Sequence, residues 1–402
     1  MSRGSRVWLV VALTLGLVVL AGLGVFLSAP HFWERYLSAA TAPAAPLPAW
    51  YQPRELVAGD SQPPAPHVTP ELESLDARAL ANAAAYADAH DTLSLIVARH
   101  DHVVFERYWH DSNFDTLIDS RSFTRVLATV AAGVAVAHRR IAWPDEPLRY
   151  FLPEWRGDPR GAISVRNLMQ LASGLAPAPA SRAPWSAAAR ALFGTELTAD
   201  TLARPLAGVP GHTWAAQSTD PQLLSLIIER ATGQRYATYL SQVLWRRIGA
   251  GNAWLYLDRP GGAAHADCCM VARQGDWLRV GELLVGEGNY RGYEIVRPGW
   301  VQLMRQPAPA NVDFGAALRL SAAAGGGNAP YMAPDTYALD GGEGTFLWVV
   351  PSLHLVVLRT ASRRQADFDE SRIPNLIVSG ARDFVPPAAR PGRDLSGIVP
   401  GH

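Results

Sequence analysis

The sequence predicts an α/β (α+β) sandwich: an antiparallel β-sheet flanked by helices, carrying an inserted all-α region and preceded by one N-terminal transmembrane helix. Three observations carry this expectation. Strand-like runs stand at both ends of the main body, Leu93–Val97 and Val103–Tyr108 early, Phe346–Val350 and His354–Arg359 late. Between them lies the mainly helical, Pro/Gly-punctuated stretch 140–265, a pattern of strands, inserted helices and strands again. The segment Val7–Ala29 has no charge over about 23 residues, enough to cross a bilayer as a helix.

Taken in order, Arg3 and Arg6 precede the apolar run, so residues 1–6 are expected in the cytoplasm and everything beyond residue 29 outside it. This reads as a single-pass anchor in the bacterial inner membrane, with the C-terminal body in the periplasm. A cleaved signal peptide is the competing reading; Leu27-Ser28-Ala29 followed by Pro30 suits cleavage poorly, and the anchor is preferred. Residues 30–72 are rich in Pro and Ala (Pro43 to Pro46, Pro63 to Pro66) and read as a semi-extended stalk without a core. The body spans 73–385. It opens near Glu71–His90, where Leu72, Leu75, Ala79, Ala83 and Tyr86 fit an amphipathic helix. The two early strands flank a polar turn, Arg99 to His102, whose His100 and His102 read as solvent-exposed turn residues lacking a third metal ligand. Ser122–Ala137 is apolar on most sides (Val126, Leu127, Val130, Val134) and must be buried. A final helix is expected near Ile373–Phe384, before a Pro/Arg-rich tail at 386–402.

Composition narrows the function. The chain has 36 basic and 36 acidic side chains, so nothing favours nucleic acid as a partner. All 36 basic residues are arginines; there is no lysine. The two cysteines, Cys268 and Cys269, are adjacent, an arrangement that bridges only through a strained ring. They are expected to be buried thiols, too few for a zinc site. No metal and no cofactor are implied.

Several stretches, in their order and spacing, make the chain resemble the serine β-lactamase and penicillin-binding-protein superfamily, in its class C β-lactamase, DD-peptidase and esterase branch. They are Tyr150–Trp155, Ile163–Leu175, Leu223–Gly233, Asp276–Arg279 and Phe346–Val356. The resemblance implies a cleft between sheet and α region, with three motifs. A Ser-x-x-Lys would supply nucleophile and base; it falls on Ser122 to Arg125. A Tyr-x-Asn/Ser would supply a proton shuttle; it falls on Ala216-Gln217-Ser218. A Lys-Thr-Gly or His-x-Gly would supply a cation; it falls on Gly342-Glu343-Gly344. The implied oxyanion-hole donors are the backbone N–H groups of Ser122 and Thr345, which survive side-chain change.

The departures bear directly on chemistry. A serine hydroxyl needs a neighbouring base. Arginine stays protonated and has no lone pair to accept a proton, so Arg125 cannot replace lysine. The tyrosine position is Ala216, with the hydroxyl of Ser218 retained, and the third motif's cation is Gly342. The expected function is therefore a β-lactamase-related protein with lost or strongly altered catalysis that binds a small-molecule or cell-wall peptide ligand, or a partner. The alternative is an active serine ester, amide or cell-wall-peptide hydrolase using Ser122 with Glu343, or a neighbour such as Asp340, as an unorthodox base. A carboxylate facing Arg125 would be a poorer base for that pairing, so a structural salt bridge filling the site is preferred over a Glu343 base, and an exposed Glu343 on the Gly-rich turn is the third reading.

Overall fold

The computed structural model describes residues 3–41, 51–178, 181, 183–321 and 329–386. Its strands are β1 (Arg54–Val57), β2 (Thr92–Arg99), β3 (His102–Tyr108), β4 (Leu117–Asp119), β5 (Ala253–Tyr256), β6 (Met270–Arg273), β7 (Asn289–Tyr290), β8 (Tyr293–Glu294), β9 (Tyr337–Gly342), β10 (Thr345–Val350) and β11 (Leu355–Ala361). The main sheet has the order β3-β2-β11-β10-β9, antiparallel throughout, so the early and late strands meet at its centre.

The central strands read as near-continuous apolar runs because both faces of the sheet are covered. Alternate residues Leu95, Val97, Phe346, Trp348, Leu355 and Val357 pack with the helices Ala77–Asp88 and Arg372–Ser379. Their neighbours Ile96, Leu347, Val349, Val356 and Leu358 share the larger core with the helix Thr124–Ala137. That helix buries Val126, Leu127, Val130 and Val134, the residues that marked it in the sequence. The β2–β3 connection is a two-residue turn with His100 and Asp101 at φ 46° and 63°, the backbone that suits a tight hairpin.

Several expectations are revised. The first body helix begins at Ala77, capped by Asp76, whose side chain accepts from the Arg78 N–H; Pro70–Glu73 forms a separate 3₁₀ turn. His100 and His102 are not idle on the surface: their Nδ1 atoms lie 2.6 and 2.8 Å from the two oxygens of Glu73. The α region ends before β5, which belongs to a second sheet of order β1-β5-β6-β4 that the sequence reading did not contain. Parts of the expected stalk are packed structure. Pro30–Thr41 is a helix whose Phe32 and Tyr36 meet Phe193 edge-on, while buried Arg35 donates to the carbonyls of Gln52, Phe193 and Gly194. β1 pairs with β5, and Tyr51 and Val57 are fully buried. Proline content misled here because an edge strand and its flanks tolerate proline as readily as a linker does. Cys268 and Cys269 form a disulfide, contrary to expectation; Cys269 takes a left-handed φ of 73°, which lets neighbouring side chains turn toward each other.

Arg3–Ser28 is helical, but among the described residues no single helix is long and apolar enough to cross a membrane. Ala12–Ser28 and Pro30–Ala39, meeting at 102°, satisfy length and composition only as a bent pair. The Pro43–Pro46 stretch and the tail beyond residue 386 lie outside the described residues.

Candidate active site

Ser122 lies on a 3₁₀ turn, Arg121–Phe123, that feeds the buried helix. The helix cap is Phe123, without a side-chain cap bond, so capping does not account for this serine. The turn is set by Arg121, held at φ 48° with its N–H donating to Asp119 Oδ1 at 2.9 Å, and by Thr124, whose hydroxyl donates to the Arg121 carbonyl at 2.7 Å. Phe123 is fully buried. A Cβ on Gly341 would stand 3.2 Å from the Phe123 ring and 3.2 Å from Thr345 Cγ2. The third motif thus seats directly against the first, and glycine at 341 permits the approach.

Arg125 is half-buried, and its Nε is buried with no hydrogen-bond partner. Burial pushes its guanidinium below the ordinary value, while the carboxylates of Asp340 and Asp267 pull it back up. A cation therefore stands among carboxylates, one of them on β9, at the position the resemblance would give to lysine. The carboxylate acting on it from β9, just ahead of the third motif, is Asp340. Asp340 is itself engaged: Oδ2 accepts from Arg319 Nη1 at 3.0 Å and Oδ1 from the Gly342 N–H at 2.8 Å.

Glu343 projects from a left-handed turn (φ 77°, 51° and 80° at Gly342, Glu343 and Gly344), with its side chain 52% exposed. It lies 3.9 Å from Arg121 and accepts from the Arg364 N–H at 3.4 Å. This corrects the expected pairing across the cleft: the turn carries the carboxylate outward. Thr345 opens β10 just after this turn, and its Oγ1 accepts from the Ala361 N–H at 3.1 Å.

The second motif, Ala216-Gln217-Ser218, precedes the helix Thr219–Thr232. It is anchored from below by Asp220, which is fully buried and accepts from the Ser173 hydroxyl (2.5 Å), the Ser173 N–H (3.3 Å) and Gln217 Nε2 (3.1 Å). Burial pushes the Asp220 carboxyl up to about 7 against the pull of these donors. Beside this loop is a cavity of about 560 Å³, lined by Ala216, Ser218, Arg204, His265, Asp267 and Cys268 among others. Ser122 and Arg125 are not among its lining residues.

The β5–β6 connection supplies residues that sequence reasoning missed. Burial would raise the Asp267 carboxyl, but its neighbours His265 and Ser218 hold it below the ordinary range. His265 is 2% exposed, its Nδ1 3.7 Å from Asp267 Oδ1 and its Nε2 2.8 Å from the Tyr51 hydroxyl. No spacing rule marks this group; the adjacent cysteines were the nearest signal. The structure therefore seats the Arg121–Phe123 turn against Gly341 and Thr345, brings Arg125 within electrostatic reach of Asp340 and Asp267, lines the cavity with Ala216, Ser218, His265 and Asp267, and turns Glu343 outward.

Residues 78–381 match the beta-lactamase family. This chain belongs to that family. Among curated relatives, 87 residues are 36% identical to the 6-aminohexanoate-dimer hydrolase of Paenarthrobacter ureafaciens, covering 21% of this chain and 22% of that one. A candidate D-alanyl-D-alanine carboxypeptidase of Escherichia coli (strain K12) is 20% identical over 365 residues, covering 72% of this chain and 82% of that protein. The solved structure of a candidate 6-aminohexanoate-dimer hydrolase from Bacillus anthracis superposes with a TM-score of 0.66 at 16% identity, covering 82% and 89% of the two chains. At that identity the superposition speaks for the fold. The beta-lactamase family member described here thus shares the family's fold over residues 78–381.

Proposed function

We propose that this beta-lactamase relative binds a ligand in its cleft, with acyl transfer from Ser122 lost or strongly slowed. The observation that supports this most is Arg125: a cation with no proton-accepting atom stands where the nucleophile's base is needed. Loss of general-base assistance alone costs roughly 10²–10⁴ in rate. Among the described residues, three carboxylates are the candidates to make good the loss, and each is engaged elsewhere. Asp267 is held ionised by His265 and Ser218, which weakens it as a base, Asp340 is bound by Arg319, and Glu343 faces Arg121 on an exposed turn. The cavity beside Ala216 offers room for a small molecule or the end of a cell-wall peptide. The backbone N–H groups of Ser122 and Thr345 remain candidates for holding a ligand oxygen. The uncharged segment 7–29, with Arg3 and Arg6 ahead of it, supports anchorage in the bacterial inner membrane with the body in the periplasm.

A fluorophosphonate probe tests the reading. The wild-type chain is expected to stay unlabelled while retaining its near-ultraviolet circular dichroism. Stoichiometric labelling that disappears in Ser122→Ala would establish an active hydrolase instead, and would direct the search for a base to Glu343→Gln and Asp267→Asn.

A further inference from the structure

The cavity wall carries three donors of different chemistry on one short connection. A ring nitrogen of His265, a carboxylate oxygen of Asp267 and the Cys268 sulfur all lie within 4.8 Å of one another. All three residues also line the 560 Å³ cavity. In the structure Cys268 is bridged to Cys269, which occupies its sulfur. We propose that opening this bridge creates a zinc-type metal site from His265, Asp267 and Cys268, so that the cavity takes a divalent transition metal only in the thiol state. The proposal goes beyond the ligand-binding reading and does not depend on whether Ser122 acylates.

The geometry supports the assignment at each shell. Zinc bonds of about 2.0–2.3 Å to N, O and S place tetrahedral ligands roughly 3.3–3.8 Å apart. His265 Nδ1 and Asp267 Oδ1, at 3.7 Å, already meet that spacing. Cys268 is the member that must approach, and it is freed to do so when the bridge opens. A metal-bound imidazole is ordinarily fixed by a partner on its other nitrogen; here the Tyr51 hydroxyl stands 2.8 Å from His265 Nε2. The Asp267 carboxylate is likewise steadied by Ser218. Three protein ligands leave a fourth position facing the cavity, an open arrangement rather than a closed structural one. A mixed N, O and S donor set suits zinc, with cobalt(II) as its coloured substitute. The opposing charge is Arg125, which Asp340 also faces.

The chemistry balances. A dithiol donor passes two electrons and two protons to the Cys268–Cys269 bond, giving two thiols, and leaves as its own disulfide. Metal then displaces the proton of the Cys268 thiol, which is released to solvent.

The test uses the full chain in detergent in three forms: oxidised, dithiol-reduced and desalted without oxygen, and Cys269→Ser, in which no bridge can form. Each is titrated with cobalt(II), reading the thiolate-to-cobalt charge-transfer band. One equivalent is expected to bind to the reduced wild type and to Cys269→Ser without reductant. Oxidised protein, Cys268→Ser and His265→Ala are expected to show no band, and Tyr51→Phe to bind about 10-fold more weakly. The proposal falls if reduced wild type and folded Cys269→Ser both fail to give the band at one equivalent. It also falls if the band persists in Cys268→Ser or His265→Ala.

Discussion

Replacing Asp220 by asparagine separates the role of this buried carboxyl as an anchor from the cost of its charge. Asp220 is fully buried beneath the second motif and is pushed up to about 7 from an ordinary 3.8. An acid whose folded value is raised holds its proton more tightly in the folded state. Its contribution is therefore complete below pH 3.8 and is lost as pH rises through about 7. At ~1.4 kcal/mol per pH unit, the loss between pH 5 and pH 8 is roughly 2.5 kcal/mol, and roughly 4 kcal/mol over the whole window. The asparagine amide keeps the shape and an acceptor for the Ser173 hydroxyl but cannot ionise. The stability difference between Asp220→Asn and wild type should therefore shift in favour of the variant by roughly 2.5 kcal/mol from pH 5 to pH 8. Urea unfolding of both proteins at a series of pH values, followed by tryptophan emission, measures this difference directly. A difference that stays flat across the range, or that moves toward wild type, would refute the account of Asp220 as a largely protonated anchor.

Other outcomes follow from the packing. Gly133→Ala places a methyl 2.5 Å from the Trp300 indole, which is itself bonded to the Thr129 carbonyl; a loss of about 1–3 kcal/mol is expected in thermal unfolding. Arg121→Ala breaks the long, exposed contact with Glu343 and removes a charge near Asp119; the loss of the exposed ion pair itself should cost less than ~1 kcal/mol in thermal unfolding. For Glu73, burial raises the carboxyl but hydrogen bonds from His100 and His102 prevail and hold it below 4.5. That contribution is present above pH 4.5 and is lost as pH falls below it, so Glu73→Gln should flatten the acid limb of a melting-temperature profile.

Much of the body was readable from periodicity. The hairpin at His100–Asp101, the buried helix from Thr124 and the late strands follow from apolar patterns that few other structures satisfy. The site positions were proposed only through motif order, since Ser122 and Ala216 stand far apart in sequence. What escaped depends on distant partners. β1 is four residues long and is defined by its pairing with β5, about 200 residues away, which no local window reports. Glu343 and Asp340 sit three residues apart, and only the left-handed turn between them decides which one faces the cleft. Asp267 and His265 gained their meaning from Ser218, Tyr51 and the cavity, none of which is near them in the chain.

The order of the main sheet has a consequence for how the chain is made. β2, formed near residue 95, finds its inner neighbour only in β11, near residue 358. During synthesis the first hairpin must wait for more than half of the chain before its open edge is covered. Pairings of such long range are slow to form and leave strand edges exposed to other chains meanwhile. Truncation before β10 would remove two of the three inner strands while sparing all three motif segments. Such a fragment should be recovered as aggregate rather than as a smaller folded unit.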